Sequence, residues 1–419
     1  QGWKDLNSQV LELYKNKEFE KALPIAEQTI KAVKKELGEI NESYVTVLEN
    51  LASIYIQIAQ LEKAEPIYIQ AAEIRKKVSG ESHPDYGKSL NNLAGLYKKM
   101  GLYEKAEPFY LEAMVISKKV FGESHADFAI SLNNLAALYE DMGQYKKAEP
   151  LYSEAMVVSK KVFGESHPNY ATSLNNLALL YTKMSQYEKA EPLYVEAMTI
   201  RKNVLGKSHA DYANSLNNLA SLYQDMGGYE KAEPLYIESK EIRKKLFGKN
   251  HPYYAAILNN LASLYKDMGQ FEKALPLYIE SKEIQKILFG ENHPKYAISL
   301  NNLASIYSLM GQYDKAESLL IQAKEIRKKK LGENHPDYAM SLNNLAVFYK
   351  IMGQFDKAEK LYIESKEIQK NNSGKSHPEY VISLNNLACL YGDMGLYERA
   401  EPLFIEAKEN RKKILGENH

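Results

Sequence analysis

Very little in this chain is chemically reactive. It has one cysteine, Cys389, so no disulfide can form within it; a disulfide-stapled scaffold is excluded, while the redox compartment stays open. Tryptophan occurs once, as Trp3. Charge of one sign is also missing: Lys and Arg total 54, and so do Asp and Glu. No net field exists to concentrate a polyanion, so nucleic acid is not an expected partner. No apolar run approaches the roughly 18 residues of a membrane span, so no membrane insertion is expected. A glycine-rich phosphate loop, a metal-spaced Cys/His cluster and a nucleophile elbow are all lacking, which leaves no catalytic residue, cofactor or metal to nominate. Carboxylates such as Glu104 and Glu107 recur evenly, as on a solvated helix face, and no pair stands apart as acid and base.

What is present is repetition. The Asn pair at 91 and 92 returns at 133, 175, 217, 259, 301, 343 and 385 without insertion or deletion, a period of 42 residues. Weaker copies at Glu49-Asn50 and Asn7-Ser8 carry the register to the N-terminus. The expected organisation is one array over 1–419 in ten units: 1–40, 41–82, 83–124, 125–166, 167–208, 209–250, 251–292, 293–334, 335–376 and 377–418. With 45% hydrophobic and 26% charged residues, the composition is that of folded protein.

Within a unit, Leu90, Leu93, Ala94 and Tyr97 fall at helical spacing and define a helix A. After Met100-Gly101, the residues Tyr103, Ala106, Tyr110, Ala113 and Ile116 define a longer helix B. Glycine follows helix B at 80, 122, 164, 206, 248, 290, 332, 374 and 416, where a left-handed cap would favour it. Two residues on, Ser82, Ser124, Ser166, Ser208, Asn250, Asn292, Asn334, Ser376 and Asn418 are expected to cap helix A through their side-chain oxygens. Pro84 and its copies, with acids such as Asp85, Asp127 and Glu379, suit a first helical turn. Small Ala94 and Ala106 beside large Tyr97, Tyr103 and Tyr110 allow close helix approach, so the tyrosine stripe is expected in the core. A single unit cannot bury its apolar face alone, and stacking supplies a continuous one-dimensional core.

The columns Leu90, Leu93, Ala94, Tyr97, Gly101, Tyr103, Ala106, Tyr110 and Ala113 resemble the signature of the tetratricopeptide repeat over essentially the whole chain. The 42-residue period, with HPDYAxSLNNLAxLY and YEKAEPLY, is similar to the longer variety in kinesin light chains and many bacterial proteins. That resemblance implies an all-α, right-handed α-solenoid of about ten helix-turn-helix units. It also implies a non-catalytic adaptor whose A helices line a concave groove for a peptide or protein partner. The opening Trp3, Leu6, Asn7, Val10, Leu13 and Tyr14 resembles the first repeat of bacterial members that follow a cleaved leader. Together with a first residue, Gln1, that is not methionine, this favours a trimmed or processed chain exported to the periplasm or beyond, with the cytoplasm as the alternative. Other bacterial members join such arrays to an effector module, so the sensor arm of a larger protein is a further reading.

Two residue columns invite a site. The histidines 83, 125, 167, 209, 251, 293, 335, 377 and 419 all occupy one repeat position. Metal ligands must converge at about 2.0 to 2.1 Å, whereas successive packed helices lie about 8 to 10 Å apart. A structural role at the start of helix A is therefore preferred over a pH-sensitive contact between molecules or a metal site. The second column is Asn92, Asn134, Asn176, Asn218, Asn260, Asn302, Asn344 and Asn386. It resembles asparagines that hold a peptide backbone or terminal carboxylate in relatives. A carboxylate clamp needs flanking bases, but Lys88 and Lys98 give way to Ile130 and Glu140, then Thr172 and Thr182. Bridges between adjacent helices and a grip on extended main chain both remain open.

Specificity is expected where units differ. One variable column reads Gly95, Ala137, Leu179, Ser221, Ser263, Ser305, Val347, Cys389. The next pair reads Lys98-Lys99, Glu140-Asp141, Thr182-Lys183, Gln224-Asp225, Lys266-Asp267, Ser308-Leu309, Lys350-Ile351, Gly392-Asp393. Its alternating signs suit a mixed-charge polypeptide, with Lys98, Glu140, Gln224 and Lys266 as groove candidates. Repeat arrays normally finish in a polar face, yet Tyr397, Ala400, Leu403, Phe404 and Ala407 match internal units, and Gly416-Glu417-Asn418-His419 begins another. Stacking of that end, through Tyr397, Leu403 and Phe404, on Trp3, Leu6 and Val10 of another copy would build a head-to-tail filament, the rival to the adaptor.

Overall fold

A computed structural model describes residues 2–375 and 377–415. The positions expected at Ser376, Gly416, Glu417, Asn418 and His419 lie outside the described residues. The described chain is helical throughout, an all-α solenoid of twenty helices. These are α1 Trp3–Lys15, α2 Phe19–Leu37, α3 Glu42–Gln57, α4 Leu61–Ser79, α5 Pro84–Lys99, α6 Tyr103–Phe121, α7 Ala126–Asp141, α8 Tyr145–Phe163, α9 Pro168–Lys183 and α10 Tyr187–Leu205. They continue as α11 Ala210–Asp225, α12 Tyr229–Phe247, α13 Pro252–Asp267, α14 Phe271–Phe289, α15 Pro294–Leu309, α16 Tyr313–Leu331, α17 Pro336–Ile351, α18 Phe355–Ser373, α19 Pro378–Asp393 and α20 Tyr397–Leu415. From α3 onward odd-numbered helices are the A helices and even-numbered ones the B helices. Two compact units form, 1–138 and 139–419, and their division falls inside α7.

Helix A starts one residue later than the Ser/Asn column. The N-cap is the histidine itself: Nδ1 of His83, His167, His209, His251, His293, His335 and His377 accepts from the backbone N–H two residues on. In α3 the same position is Asn41, whose side chain accepts from Tyr44 N. A cap must place an acceptor over the first-turn amides, and a neutral imidazole nitrogen does this as an asparagine oxygen does. These described histidines thus serve as caps, and the expected Ser82-type caps are corrected.

The left-handed cap also belongs elsewhere. Helix A ends in it: Leu102 N donates to Tyr97 O and Gly101 N to Lys98 O, with Gly101 at φ +74°. Glycine after helix B has positive φ but extended ψ, as at Gly80 (φ 89°, ψ 160°), a region open essentially to glycine alone. Helix A therefore stops by turning back on itself, and helix B stops by running into an extended linker.

From α1 to α6 in unit 1 and from α8 to α20 in unit 2, each helix packs on the next, A on its own B and B on the following A. In unit 2 the fully buried Ala220 and Ala232 admit Tyr236 and Leu261 against them, the small-beside-large pattern read from sequence. Tyr97 and Tyr110 are buried as expected, whereas Tyr103 is half-buried. Between layers, the buried Arg243 guanidinium ties two A helices together: it donates to Tyr253 O at the start of α13 at 2.9 Å and to Asn214 Oδ1 on α11 at 2.9 Å. Burial pushes that guanidinium down to about 10. No described helix is long and apolar enough to cross a membrane.

Candidate functional site

The A helices of neighbouring layers are joined by side-chain bridges displaced by one repeat plus one residue. Asn50 donates to Asn7 in unit 1. In unit 2, Asn218 donates to Asn175 at 2.8 Å, Asn260 to Asn217 at 2.7 Å and Asn386 to Asn343 at 2.9 Å. These asparagines bridge adjacent helices. Each bonded amide still has a second hydrogen and lone pair for another partner. Asn92 differs, because its neighbour is Glu49, to which it donates at 3.2 Å. Asn134, Asn176 and Asn302 are half-buried and Asn344 is exposed.

The variable pair obeys the same displacement. Lys183 lies 2.7 Å from Glu140, Gln224 donates to Asp267 at 2.6 Å, and Lys350 lies 3.0 Å from Asp393. The alternating charges of the sequence are therefore partly spent between neighbouring layers. Lys266 sits 3.8 Å from Asp267 on its own helix. Lys98 is half-buried, in α5.

Under these positions lies the buried helix B tyrosine column. Tyr152 donates to Glu140 at 2.8 Å and Tyr236 to Gln224 at 3.0 Å, while Tyr110 Oη stands where a side chain at Gly95 would reach it. Burial, then nearby Asp225 and Asp267, hold the Tyr236 hydroxyl up to about 12. The floor therefore offers neutral hydroxyls at ordinary pH.

Glu107-type residues were expected on a solvated face, and several of their equivalents are not. Glu65 accepts from Tyr97, Glu149 from Tyr181, Glu191 from Tyr223, Glu233 from Tyr265, Glu317 from Tyr349 and Glu359 from Tyr391, each 32 residues downstream. Both members recur in nearly every unit, but a constant offset in sequence does not reveal which columns meet. Glu104 is exposed, as expected.

Unit 2 also touches itself across several layers. His377 Nε2 hydrogen-bonds Asp141 O, and a β-carbon on Gly143 would collide with the Pro378 ring. Because His377 Nδ1 accepts from Glu379 N, the tautomer that serves both contacts carries its proton on Nε2. Burial lowers the pKa of this imidazole, favouring that neutral form.

At the ends, Leu6 and Val10 are buried in unit 1, and Trp3 packs against the cluster of Val33, Tyr44 and Val47. On α20, Tyr397 is 72% and Phe404 42% exposed, and Leu403 is half-buried. Among the described residues no three His, Cys, Asp or Glu side chains group as metal ligands would.

A family model described as tetratricopeptide repeat matches residues 43–119, 85–155, 127–203, 211–286, 253–329, 297–350 and 337–413. No curated protein matches the chain. Among solved structures, BtubC (BKLC) from P. vanneervenii is 25% identical, with TM-score 0.43, over 56% of this chain and 92% of that one. Kinesin light chain TPR-like repeats from Podosopora anserina are 29% identical, with TM-score 0.40, over 49% and 97%. A Rap protein complexed with competence and sporulation factor is 15% identical, with TM-score 0.56, over 89% and 99%, a likeness of fold.

Proposed function

Since the chain belongs to the tetratricopeptide repeat family, we propose that its A helices form a groove that holds an extended polypeptide partner. The family's repeats are non-catalytic protein-interaction scaffolds, and a protein or peptide is the partner to seek. The observation that carries the groove is the coincidence, on one face of unit 2, of variable positions, inter-layer bridges and half-satisfied asparagines. Variation supplies selectivity there, the bridges fix its spacing, and the spare amide groups match a peptide backbone. Photo-crosslinking residues placed at Ser221 and Ser263 should capture a partner, while the same groups at exposed Ile237 and Ile279 on helix B should not. Capture from the helix B positions alone would contradict the groove.

A second reading, a head-to-tail filament, rests on the exposed Tyr397 and Phe404. Since Leu6 and Val10 are buried, exposed Leu11 is the α1 residue that a second copy would meet. Negative-stain microscopy should then show fibres that disappear in Tyr397→Glu/Phe404→Glu; dispersed particles from the unaltered chain would reject it.

A further inference from the structure

One rung of the inter-layer ladder holds an acid with no base. We propose that this rung, in the cavity among α9, α10 and α11, is a subsite for a cationic side chain on an extended polypeptide, a lysine ammonium or an arginine guanidinium. The inference rests on the groove reading above and names the chemistry of its occupant.

By the displacement that pairs Glu140 with Lys183, Gln224 with Asp267 and Lys350 with Asp393, the neighbour of Asp225 is Thr182. Thr182 cannot neutralise a carboxylate, and its hydroxyl donates to Ala178 O at 2.9 Å. Lys183 lines the same cavity, but its ammonium is 2.7 Å from Glu140 and is already matched. Asp267, the other acid nearby, has Gln224 at 2.6 Å and Lys266 at 3.8 Å. Asp225 has no ion pair or side-chain hydrogen bond among the described residues. Although Asp225 is exposed at its edge, partial desolvation by the cavity and then the like charge of Asp267 raise its pKa, and no cation offsets them.

The cavity measures about 200 Å³, room for several waters. Leu179 and Leu222 form an apolar wall for an alkyl stem, and Asp225 marks where its charge ends. Asn218, which spends one amide hydrogen on Asn175, keeps the other for a main-chain carbonyl.

Fluorescence anisotropy of the full chain with two blocked decapeptides, identical except for a central lysine or norleucine, tests the assignment. The lysine peptide should bind at least tenfold more tightly at low salt, and added salt should erode that advantage. Asp225→Asn should abolish it. Thr182→Lys, which supplies the missing base, should also abolish it while leaving helicity and melting intact. Asp393→Asn, on a rung already paired with Lys350, should leave it unchanged. Equal binding of the two peptides would overturn the cation subsite and leave the groove standing. Binding of neither would overturn both.

Discussion

Asp141 and His377, 236 residues apart in sequence, share a hydrogen bond, so the layers of unit 2 turn far enough to bring the start of α19 onto the α7–α8 turn. Gly143 sits in that contact. It has φ +69°, and Gly269 has φ +72° at the same repeat position with open space around it. Alanine at either site should cost about 1–2 kcal/mol for the left-handed backbone. Gly143→Ala should cost about 1–3 kcal/mol more for displacing Pro378. Urea unfolding of the two variants reads the difference, and equal midpoints would mean that the contact does not form in solution.

Ala220 has no exposed surface, and the chain around it is filled by Ala232, Tyr236 and Leu261. Ala220→Trp should cost about 1 to 3 kcal/mol or more through overpacking. An unchanged melting curve would contradict the packing.

The cap can be tested by an exchange the chain already contains. His209→Ala should cost about 0.5–2 kcal/mol by freeing the Asp211 amide. His209→Asn should restore stability, since Asn41 caps α3. Equal loss in both would show that the imidazole acts otherwise.

Alkaline stability should follow the Tyr–Glu bridges. The hydroxyls of Tyr97, Tyr181, Tyr223, Tyr265 and Tyr349 are held up to about 12, by burial first and then by the glutamate each contacts. The unfolded chain releases these protons near 10 while the folded chain retains them, so this stability is intact below pH 10 and is lost as pH rises toward 12. Denaturant midpoints measured from pH 8 to 12 should fall above 10, and less steeply in Tyr265→Phe. A flat profile would count against the bridges.

The sequence alone determined the helices, their pairing and the core stripe, because period 3.6 within helices and period 42 between them are repeated so often that local preference and burial agree. It also placed the histidines at the start of helix A, although it assigned the cap to Ser82 and its copies instead of His83. Tertiary structure decided what meets what. Whether Glu65 faces water or Tyr97, which asparagine reaches which, and why Asp225 lacks the partner that Asp393 has all depend on how one layer is shifted against the next. The approach of His377 to Asp141 adds a small rotation from every intervening layer, a sum that no single residue encodes.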